Sequence, residues 1–442
     1  MKAIVVGSGA GGAVVARELA RYGFEVTILE AGKEFSPLSH RVSWLSSFRG
    51  SWFLKNENSI RHVFPHYDVS RTSQDLVLFR GVTEGGCTSI SCGNMVRAEN
   101  GLKEIGLDLS QEFIEIEKTL PINPIPRERW RPLTQQMYEK AEQLGYSPKP
   151  TPKVGDLRKC VGCGYCELGC ITGAKWDSRQ VYKDYLGKGI LLFTNTKVQK
   201  VLWERNHTRG VLVSHGSLLE RIEADIVILS AGGIGTAQIL KASDLPARDN
   251  LWVDVVLTVG GEFKGSRMLN EPPMVWFIKR DNYILSPYFD LLSYWFHSPW
   301  KSVPAEDRVG IMIKLADSEQ GKVSADGTVT KSLTKADYES LDNAKIEAKQ
   351  IMTASGVNGP FVDGMVHGGH LGGTVPLTND DVGTMHPSWL PKNLWVADLS
   401  LLPRSQGLPT MLTTAALALR VAKSIATESG VTSNVCFNRR PD

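Results

Sequence analysis

The opening segment constrains the fold of this 442-residue chain more than any other part of the sequence. A short apolar run, Lys2–Val6, is typical of a buried parallel strand. The residues 7–12 follow it and read GSGAGG, which matches the pattern G-x-G-x-x-G. A helix-compatible run, 13–22, and a second strand-like run, Glu25–Leu29, complete a β-α-β unit. This unit predicts an α/β fold with a parallel sheet of the Rossmann type.

The glycines of this pattern and the acid that follows it have separate roles in binding a dinucleotide. Gly7 permits a tight turn, Gly9 lets the backbone approach a pyrophosphate, and Gly12 lets the helix pack closely on the strand. Unpaired amides at the helix N-terminus attract the phosphates. Glu30, at the end of the second strand, can accept hydrogen bonds from ribose hydroxyls. The pattern predicts a dinucleotide site but does not distinguish NAD from FAD.

Four of the seven cysteines lie within eleven residues. Cys160, Cys163, Cys166 and Cys170 have the spacing C-x2-C-x2-C-x3-C, which is typical of thiolates that hold an iron–sulfur cluster. Zinc is the first alternative, although zinc sites usually pair two C-x2-C units across a longer stretch. Four unligated thiols are the second alternative. We predict a [4Fe-4S] cluster, and therefore a redox protein that handles both electron pairs and single electrons.

The fourth ligand of this cluster is less constrained by the spacing than the first three. In ferredoxins with two clusters, the fourth cysteine of such a run binds the other cluster, and this chain has no second run. Cys170 is the favoured ligand. The alternatives are the remote thiols of Cys87, Cys92 and Cys436.

Composition narrows the class of protein. The chain is 42% hydrophobic and 22% charged, which is ordinary for a globular protein of two or three domains. A net charge of +3 is too balanced to indicate nucleic acid or an anionic membrane as a partner. The first strand begins at Lys2, so we expect no signal peptide. Since no segment has 18 or more uncharged apolar residues, we expect no transmembrane helix. A cluster-bearing chain of this kind is expected in the reducing cytoplasm.

Three further segments carry a family resemblance. Residues 80–89 read RGVTEGGCTS and continue as CGNMVR over 92–97, residues 225–240 read DIVILSAGGIGTAQIL with a helix expected near Thr236, and residues 394–403 read LWVADLSLLP. In their order and rough spacing, these segments resemble the signatures of the glucose–methanol–choline (GMC) oxidoreductase family of FAD enzymes. The cysteine run, followed by G-A-K at 173–175, resembles one found in a subset of that family.

The resemblance implies that the dinucleotide is FAD. In the family, the double-glycine loop passes the flavin pyrophosphate and then lies along the isoalloxazine ring, while one backbone group contacts adenine. The residues implied as cofactor contacts, in addition to Gly7, Gly9, Gly12 and Glu30, are Arg80, Gly85, Gly86, Thr88, Asn94, Val198, Asp398 and Ser400.

A glycine-rich loop holds two of the nine histidines, His367 and His370. Residues 370–374 fit the H-x-x-G-T pattern that the family carries, so the resemblance implies that His370 is the catalytic base. Oxidation of an alcohol requires removal of the hydroxyl proton as hydride leaves the carbon. Imidazole, with an unperturbed pKa of about 6.5, suits that transfer near neutrality. His367 is the alternative base.

Leu408 departs from the family pattern. The family usually carries a second polar residue, His or Asn, at this position, before the proline of its last motif, which is Pro409 here. A hydrogen-bond donor could come instead from a nearby polar residue, for which the candidates are Asn94, Ser405, Gln406 and Thr410. Alternatively, the substrate or the direction of the reaction differs from ordinary alcohol oxidation.

The predicted architecture has a discontinuous FAD-binding domain. We assign 1–100, 179–246 and 390–442 to that domain, 101–156 to a connecting segment, 157–178 to an iron–sulfur loop insertion, and 247–389 to a sheet-containing substrate-capping domain. The proline-rich stretch of the connection is predicted to be irregular. Residues 334–353 are predicted to be helical. The aromatic stretch 283–300 is interpreted as domain core or pocket wall, with a lid or a partner or membrane contact as alternatives.

The favoured function is an FAD- and [4Fe-4S]-dependent oxidoreductase that acts on a CH–OH group. Hydride would pass to the flavin, and single electrons would pass through the cluster to a ferredoxin-like carrier or partner subunit. The reverse reduction of a carbonyl substrate is allowed by the same residues. The alternative is an electron-transfer subunit of a redox complex with no organic substrate of its own.

Overall fold

A five-stranded parallel sheet is built on the opening β-α-β unit of the computed structural model, which describes residues 1–38, 57–72 and 74–431. Strand Lys2–Val6 lies between Glu25–Leu29 and Ile226–Leu229 and pairs in parallel with both. The strand order is Leu394–Val396, Ile226–Leu229, Lys2–Val6, Glu25–Leu29 and Ile190–Phe193. The two strands predicted at the start of the chain are confirmed.

Helices cover this sheet with their apolar faces. Helix Ala10–Arg21 buries Val14, Val15 and Leu19 and packs against the helix Met411–Glu428. Elsewhere in the fold, helix Lys335–Ala354 packs on strands Val255–Glu262 and Arg308–Leu315 and confirms the helix predicted at 334–353. Thr334 caps it through reciprocal hydrogen bonds with Asp337. Further α-helices in the described parts of the chain are Ile60–Val63, Ser110–Thr119, Pro132–Gln143, Arg179–Tyr182, Gly232–Ala242 and Leu291–Phe296.

A nine-stranded sheet, antiparallel over most of its pairs, forms the second large element. Its central strands, Val255–Glu262 and Arg308–Leu315, are buried almost throughout, because they lie under both helix and loop segments. The strand order is Tyr67–Arg71, Val77–Gly81, His367–Gly368, Val255–Glu262, Arg308–Leu315, Tyr283–Pro287, Trp276–Lys279 and Lys149–Pro150, and Asn358–Asp363 also pairs with Val255–Glu262.

Smaller strand pairs complete the described structure. Lys197–Glu204, His207–His215 and Leu218–Glu223 form a three-stranded antiparallel sheet, Lys322–Val323 pairs with Val329–Thr330, and Ile122–Pro124 pairs with Pro152–Val154. The prediction that the proline-rich connection is irregular is therefore wrong in part. Its strand pairs with a distant segment, and Pro132 begins a helix because proline is tolerated in a first turn.

Two large apolar cores and one small one result. The first surrounds the parallel sheet and the second surrounds the nine-stranded sheet. The small core contains Val256, Met312 and Leu408, and it joins residues that lie far apart in the sequence, from Ala98 to Leu408. Among the described helices, none is both long and apolar enough to cross a membrane.

Candidate active site

One cavity of about 860 Å³ is lined by residues of both large sheets. Its wall includes the glycine-rich turn 7–11 and Glu30 of the parallel-sheet part of the fold. It also includes Lys314 of the nine-stranded sheet and the two histidines, His367 and His370. The cavity therefore joins the predicted dinucleotide site to the predicted base.

The glycines of the opening pattern pack as their spacing predicts. A Cβ atom on Gly12 would lie 2.0 Å from the carbonyl oxygen of Gly7, so only glycine allows the helix to approach the strand this closely. A Cβ atom on Gly86 would lie 3.0 Å from Cα of Gly9. The double-glycine loop thus rests against the opening turn, and both border the cavity.

Glu30 is held in place by the turn it follows. Its carboxylate accepts hydrogen bonds from the Ser8 amide at 3.0 Å, the Ser8 hydroxyl at 2.7 Å and the Gly32 amide at 2.8 Å. Burial raises the pKa of Glu30, and these hydrogen bonds oppose the rise. The fixed carboxylate beside the glycine-rich turn fits the hydroxyls of a ribose.

Most of the other predicted cofactor contacts also border the cavity. Asp398 accepts hydrogen bonds from the Gly232 amide at 2.8 Å and the Thr236 hydroxyl at 2.6 Å, and so fixes the start of helix Gly232–Ala242, earlier than the predicted start near Thr236. Gly12, Gly85 and Ser400 do not line the cavity, although the Ser400 amide donates to Asp398. Those that line it are Gly7, Gly9, Glu30, Arg80, Gly86, Thr88, Asn94, Val198 and Asp398. Two glycine loops and a fixed acid fit FAD.

His370 is oriented by a buried aspartate that sequence reasoning missed. Nδ1 of His370 lies 3.2 Å from Oδ2 of Asp254, whose side chain is fully buried. The other oxygen, Oδ1, accepts three hydrogen bonds of 2.7 Å from the Ser405 hydroxyl and the amides of Gln406 and Gly407. The carboxylate is therefore locked, and it fixes the imidazole ring at the cavity wall.

Lys314 completes this group. Its Nζ lies 3.2 Å from the same Oδ2 atom of Asp254, and its side chain is buried. Burial raises the pKa of Asp254, but Lys314 and His370 outweigh that effect and hold it at about 2. Burial and Lys314 lower the pKa of His370 below its ordinary 6.5, while Asp254 opposes them. Near neutrality His370 is thus a neutral imidazole beside an ionised carboxylate.

The remaining polar candidates divide into two groups. Asn94 and Thr410 line the cavity, whereas Ser405 and Gln406 serve Asp254 and do not. The side-chain amide nitrogen of Asn94 donates a hydrogen bond to the sulfur atom of Met274. These four residues are the candidates for the hydrogen-bond donor that the apolar, buried side chain of Leu408 cannot supply.

His367 also lines the cavity but has a weaker orienting contact than His370. Its Nε2 atom lies 3.9 Å from Oδ2 of Asp290 and has no hydrogen-bond partner among the described residues. Burial lowers its pKa. Of the two histidines, His370 is the one that a hydrogen-bonded carboxylate positions.

The cysteine loop, residues 157–178, directs backbone amides at two of its four thiols. The amide of Lys175 donates to Sγ of Cys170 at 3.4 Å, and the amide of Tyr165 donates to the Cys163 thiol. Burial raises the pKa of Cys166 to about 12, although two neighbouring lysines, Lys153 and Lys175, lower it. The amides thus favour the thiolate forms of Cys163 and Cys170, whereas burial favours the neutral thiol of Cys166.

No group of three or more His, Cys, Asp or Glu side chains has a metal-binding arrangement in the part of the chain that the structure describes. The cluster thus stays a prediction. Of the remote thiols, Cys92 donates to the carboxylate of Glu167 at 3.3 Å, and Cys87 accepts from the Gly81 amide at 3.2 Å. Cys436 lies outside the described residues.

The cysteine loop also forms part of the cavity wall. Glu167 and Leu168, which directly follow Cys166, both line the cavity. The Tyr288 hydroxyl donates to Glu167 at 2.8 Å, and the Tyr67 hydroxyl donates to the Glu167 carbonyl. The loop and the cavity are therefore adjacent.

The aromatic stretch at 283–300 is a pocket wall, as predicted. Four of its side chains border the cavity, namely Tyr288, Leu291, Leu292 and Trp295. All four are buried. This part of the cavity wall is therefore largely apolar.

Comparisons with known proteins agree with this geometry. A family model described as GMC oxidoreductase matches residues 1–264. An uncharacterized protein of Methanocaldococcus jannaschii, MJ1450, is 26% identical over 425 residues, which cover 95% of this chain and 98% of that protein.

Two further proteins extend the comparison. The long-chain-alcohol oxidase FAO3 of Arabidopsis thaliana is 25% identical over 410 residues, which cover 80% of this chain and 52% of the oxidase. The chain thus spans about half the length of that relative. The crystal structure of pyridoxine 4-oxidase from "Mesorbium loti" superposes with a TM-score of 0.74 at 14% identity, over 96% of this chain and 99% of that one. The two chains share a fold.

Proposed function

Since this chain belongs to the GMC oxidoreductase family and is an FAD-dependent oxidoreductase, we propose that it interconverts a CH–OH group and a carbonyl in the cavity described above. The observation that carries this proposal is the pair of His370 and Asp254 at the cavity wall. A neutral imidazole held by an ionised carboxylate is suited to take a proton from a hydroxyl.

His370 acts as the base in this proposal. Because Asp254 is ionised, it accepts the proton on Nδ1, which leaves Nε2 to take the proton of the substrate hydroxyl, and a hydrogen bond to the Leu408 backbone favours the protonated ring. As Nε2 takes that proton, Asp254 stabilises the imidazolium that forms. FAD, when bound by the two glycine loops, supplies the acceptor for the hydride from the substrate carbon.

The substrate is proposed to be an alcohol with a substantial apolar part. Buried apolar and aromatic side chains between Tyr288 and Trp295 form part of the cavity wall, and they would lose water when an apolar chain enters. The name of the Arabidopsis relative, a long-chain-alcohol oxidase, agrees with this class.

We propose further that Cys160, Cys163, Cys166 and Cys170 hold a [4Fe-4S] cluster. Such a cluster would supply one-electron transfer to a ferredoxin-like carrier or partner subunit. Three observations support this: the spacing of the cysteines, the amides directed at two of their sulfurs, and the place of Glu167 on the cavity wall. The division into an FAD-binding domain, a cysteine loop and a cap also belongs to this proposal.

The second candidate is an electron-transfer subunit without an organic substrate. It is favoured by one observation, the apolar side chain of Leu408 where the family usually has a polar one. The ordered pair of His370 and Asp254 favours the enzyme instead, because a relay has no use for an oriented base.

Anaerobic purification tests these proposals together. We expect one FAD, about four irons and about four sulfides per chain, and bleaching of the flavin absorbance by a primary alcohol such as 1-dodecanol. If iron is present, but no alcohol bleaches the flavin and no aldehyde re-oxidises the reduced flavin, the relay would be favoured. Bleaching without iron would remove the cluster and leave a simple flavin oxidoreductase.

A further inference from the structure

One strand of the nine-stranded sheet places a charged group among apolar side chains of the cavity wall. In Arg308–Leu315, alternate side chains share a face, and Met312 and Lys314 both line the cavity. Lys314 lies opposite Val256 on the neighbouring strand, which also lines it. A lysine in this setting needs an explanation, because burial of an ammonium among apolar side chains is costly.

Asp254 explains part of the position of Lys314. An ammonium has three donors, and the Asp254 carboxylate is its hydrogen-bonding partner among the described residues. That same Oδ2 atom contacts Nδ1 of His370 at 3.2 Å. One oxygen therefore bridges the ammonium and the imidazole, and the remaining donors of Lys314 are available at the cavity wall beside the base.

We propose that Lys314 donates a hydrogen bond to the substrate oxygen. It would thus take the role of the His or Asn that the family usually carries at the position of Leu408. This inference rests on the proposed function. The O–H bond breaks as its proton moves to Nε2 of His370, the C–H bond breaks as hydride moves to FAD, and the C=O bond forms. Lys314 keeps its proton throughout, and its ammonium stabilises the negative charge that develops on the oxygen.

The charges around Lys314 support an ammonium in this role. Burial opposes the charged form of Lys314 and lowers its pKa, whereas the carboxylates of Asp254 and Asp317 favour the charged form. His370 also faces it, and the two groups disfavour each other's protonation. A neutral His370 with a charged Lys314 is the state in which both the base and the donor are ready.

The test compares Lys314→Met with Lys331→Met. Both lysines are buried and paired with a buried aspartate, but Lys331 pairs with Asp317 and does not line the main cavity. Each FAD-loaded protein is titrated with dodecanoate by calorimetry, because the carboxylate oxygen of this probe mimics the charged substrate oxygen. Flavin reduction by 1-dodecanol is measured in parallel by anaerobic stopped flow.

We expect Lys314→Met to bind dodecanoate roughly 10- to 100-fold more weakly than the wild type, as expected for loss of one hydrogen bond to a charged group. We expect its flavin reduction to be about 100- to 1,000-fold slower. Lys331→Met is expected to bind dodecanoate with an affinity within about threefold of the wild type, because Lys331 makes no hydrogen bond to the probe.

Undiminished dodecanoate binding by Lys314→Met would overturn the inference. If that variant does not retain FAD, Lys314→Gln decides instead: weaker binding supports an ionic donor, and wild-type affinity contradicts it. If no alcohol reduces the wild-type flavin, the proposed function fails, and the dodecanoate titration still decides whether Lys314 binds a ligand oxygen.

Discussion

The substitution Asp254→Asn separates the role of the carboxylate charge from the role of its shape. In the wild type, Oδ2 accepts from His370 and contacts Lys314. The opposite oxygen is fixed by three donors at 2.7 Å, which are the Ser405 hydroxyl and the amides of Gln406 and Gly407. An asparagine must therefore keep its oxygen at that position and turn its NH₂ group toward His370.

Two consequences for the base follow from this orientation. The imidazole loses a charge-assisted hydrogen bond, worth about 1.5–3 kcal/mol. The amide donor also favours the tautomer in which Nδ1 is unprotonated and Nε2 carries the proton, and Nε2 is then unable to accept one from the substrate. Together these effects cost about 3–5 kcal/mol, so flavin reduction should slow by roughly 10²- to 10⁴-fold.

The assay is anaerobic stopped-flow reduction of the bound flavin by 1-dodecanol, with FAD content confirmed first. Asp290→Asn is the matched control, because Asp290 is also buried and lies 3.9 Å from the other histidine, His367. We expect that control to stay within about threefold of the wild type, because no hydrogen bond to its histidine is lost. A loss below about tenfold for Asp254→Asn would refute the reasoning, and a large loss for Asp290→Asn alone would assign the base to His367.

Three further outcomes are expected. The rate of flavin reduction should fall as the pH drops through the pKa of His370, because the imidazolium cannot accept a proton; burial and Lys314 set the midpoint below 6.5, and a midpoint above 6.5 in a pH series would contradict this. Glu30→Ala should weaken FAD binding roughly 10- to 100-fold in fluorescence titrations, whereas an unchanged Kd would limit Glu30 to bracing its turn. Cys166→Ser should lower the iron and sulfide content while FAD is retained, and iron at the wild-type level in this variant would exclude Cys166 as a ligand. Cys87→Ser should keep its iron, because Cys170 is the proposed fourth ligand, and lost iron would assign that role to Cys87 instead.

The local parts of the site could be predicted from the sequence. The turn at Gly7 and Gly12 depends on contacts between residues a few positions apart, and the strands on either side have the length and apolar character of buried parallel strands. The histidine loop was predicted from a resemblance, and the structure places His370 at the same cavity as Glu30.

The partners of His370 could not be predicted in this way, because they come from distant segments, one just before a strand and one on a strand. Asp254 precedes the base by 116 residues and Lys314 stands on a different strand. The available signal was one charged residue within an otherwise apolar run, as in VDVVLTV for Asp254 and GIMIKLA for Lys314. Such a residue is costly to bury unless it is paired, but the sequence does not show which partner it finds.

The order of strands in the parallel sheet also determines when the cofactor site can form. Lys2–Val6 pairs with Ile226–Leu229, which in turn pairs with Leu394–Val396. Asp398, directly after that last strand, fixes the helix that begins at Gly232. Closing such long loops is slow, because distant segments must meet before their contacts stabilise them. A ribosome must therefore translate past Asp398 before the sheet and the helix beside it are complete, so the FAD site cannot form before that point of synthesis.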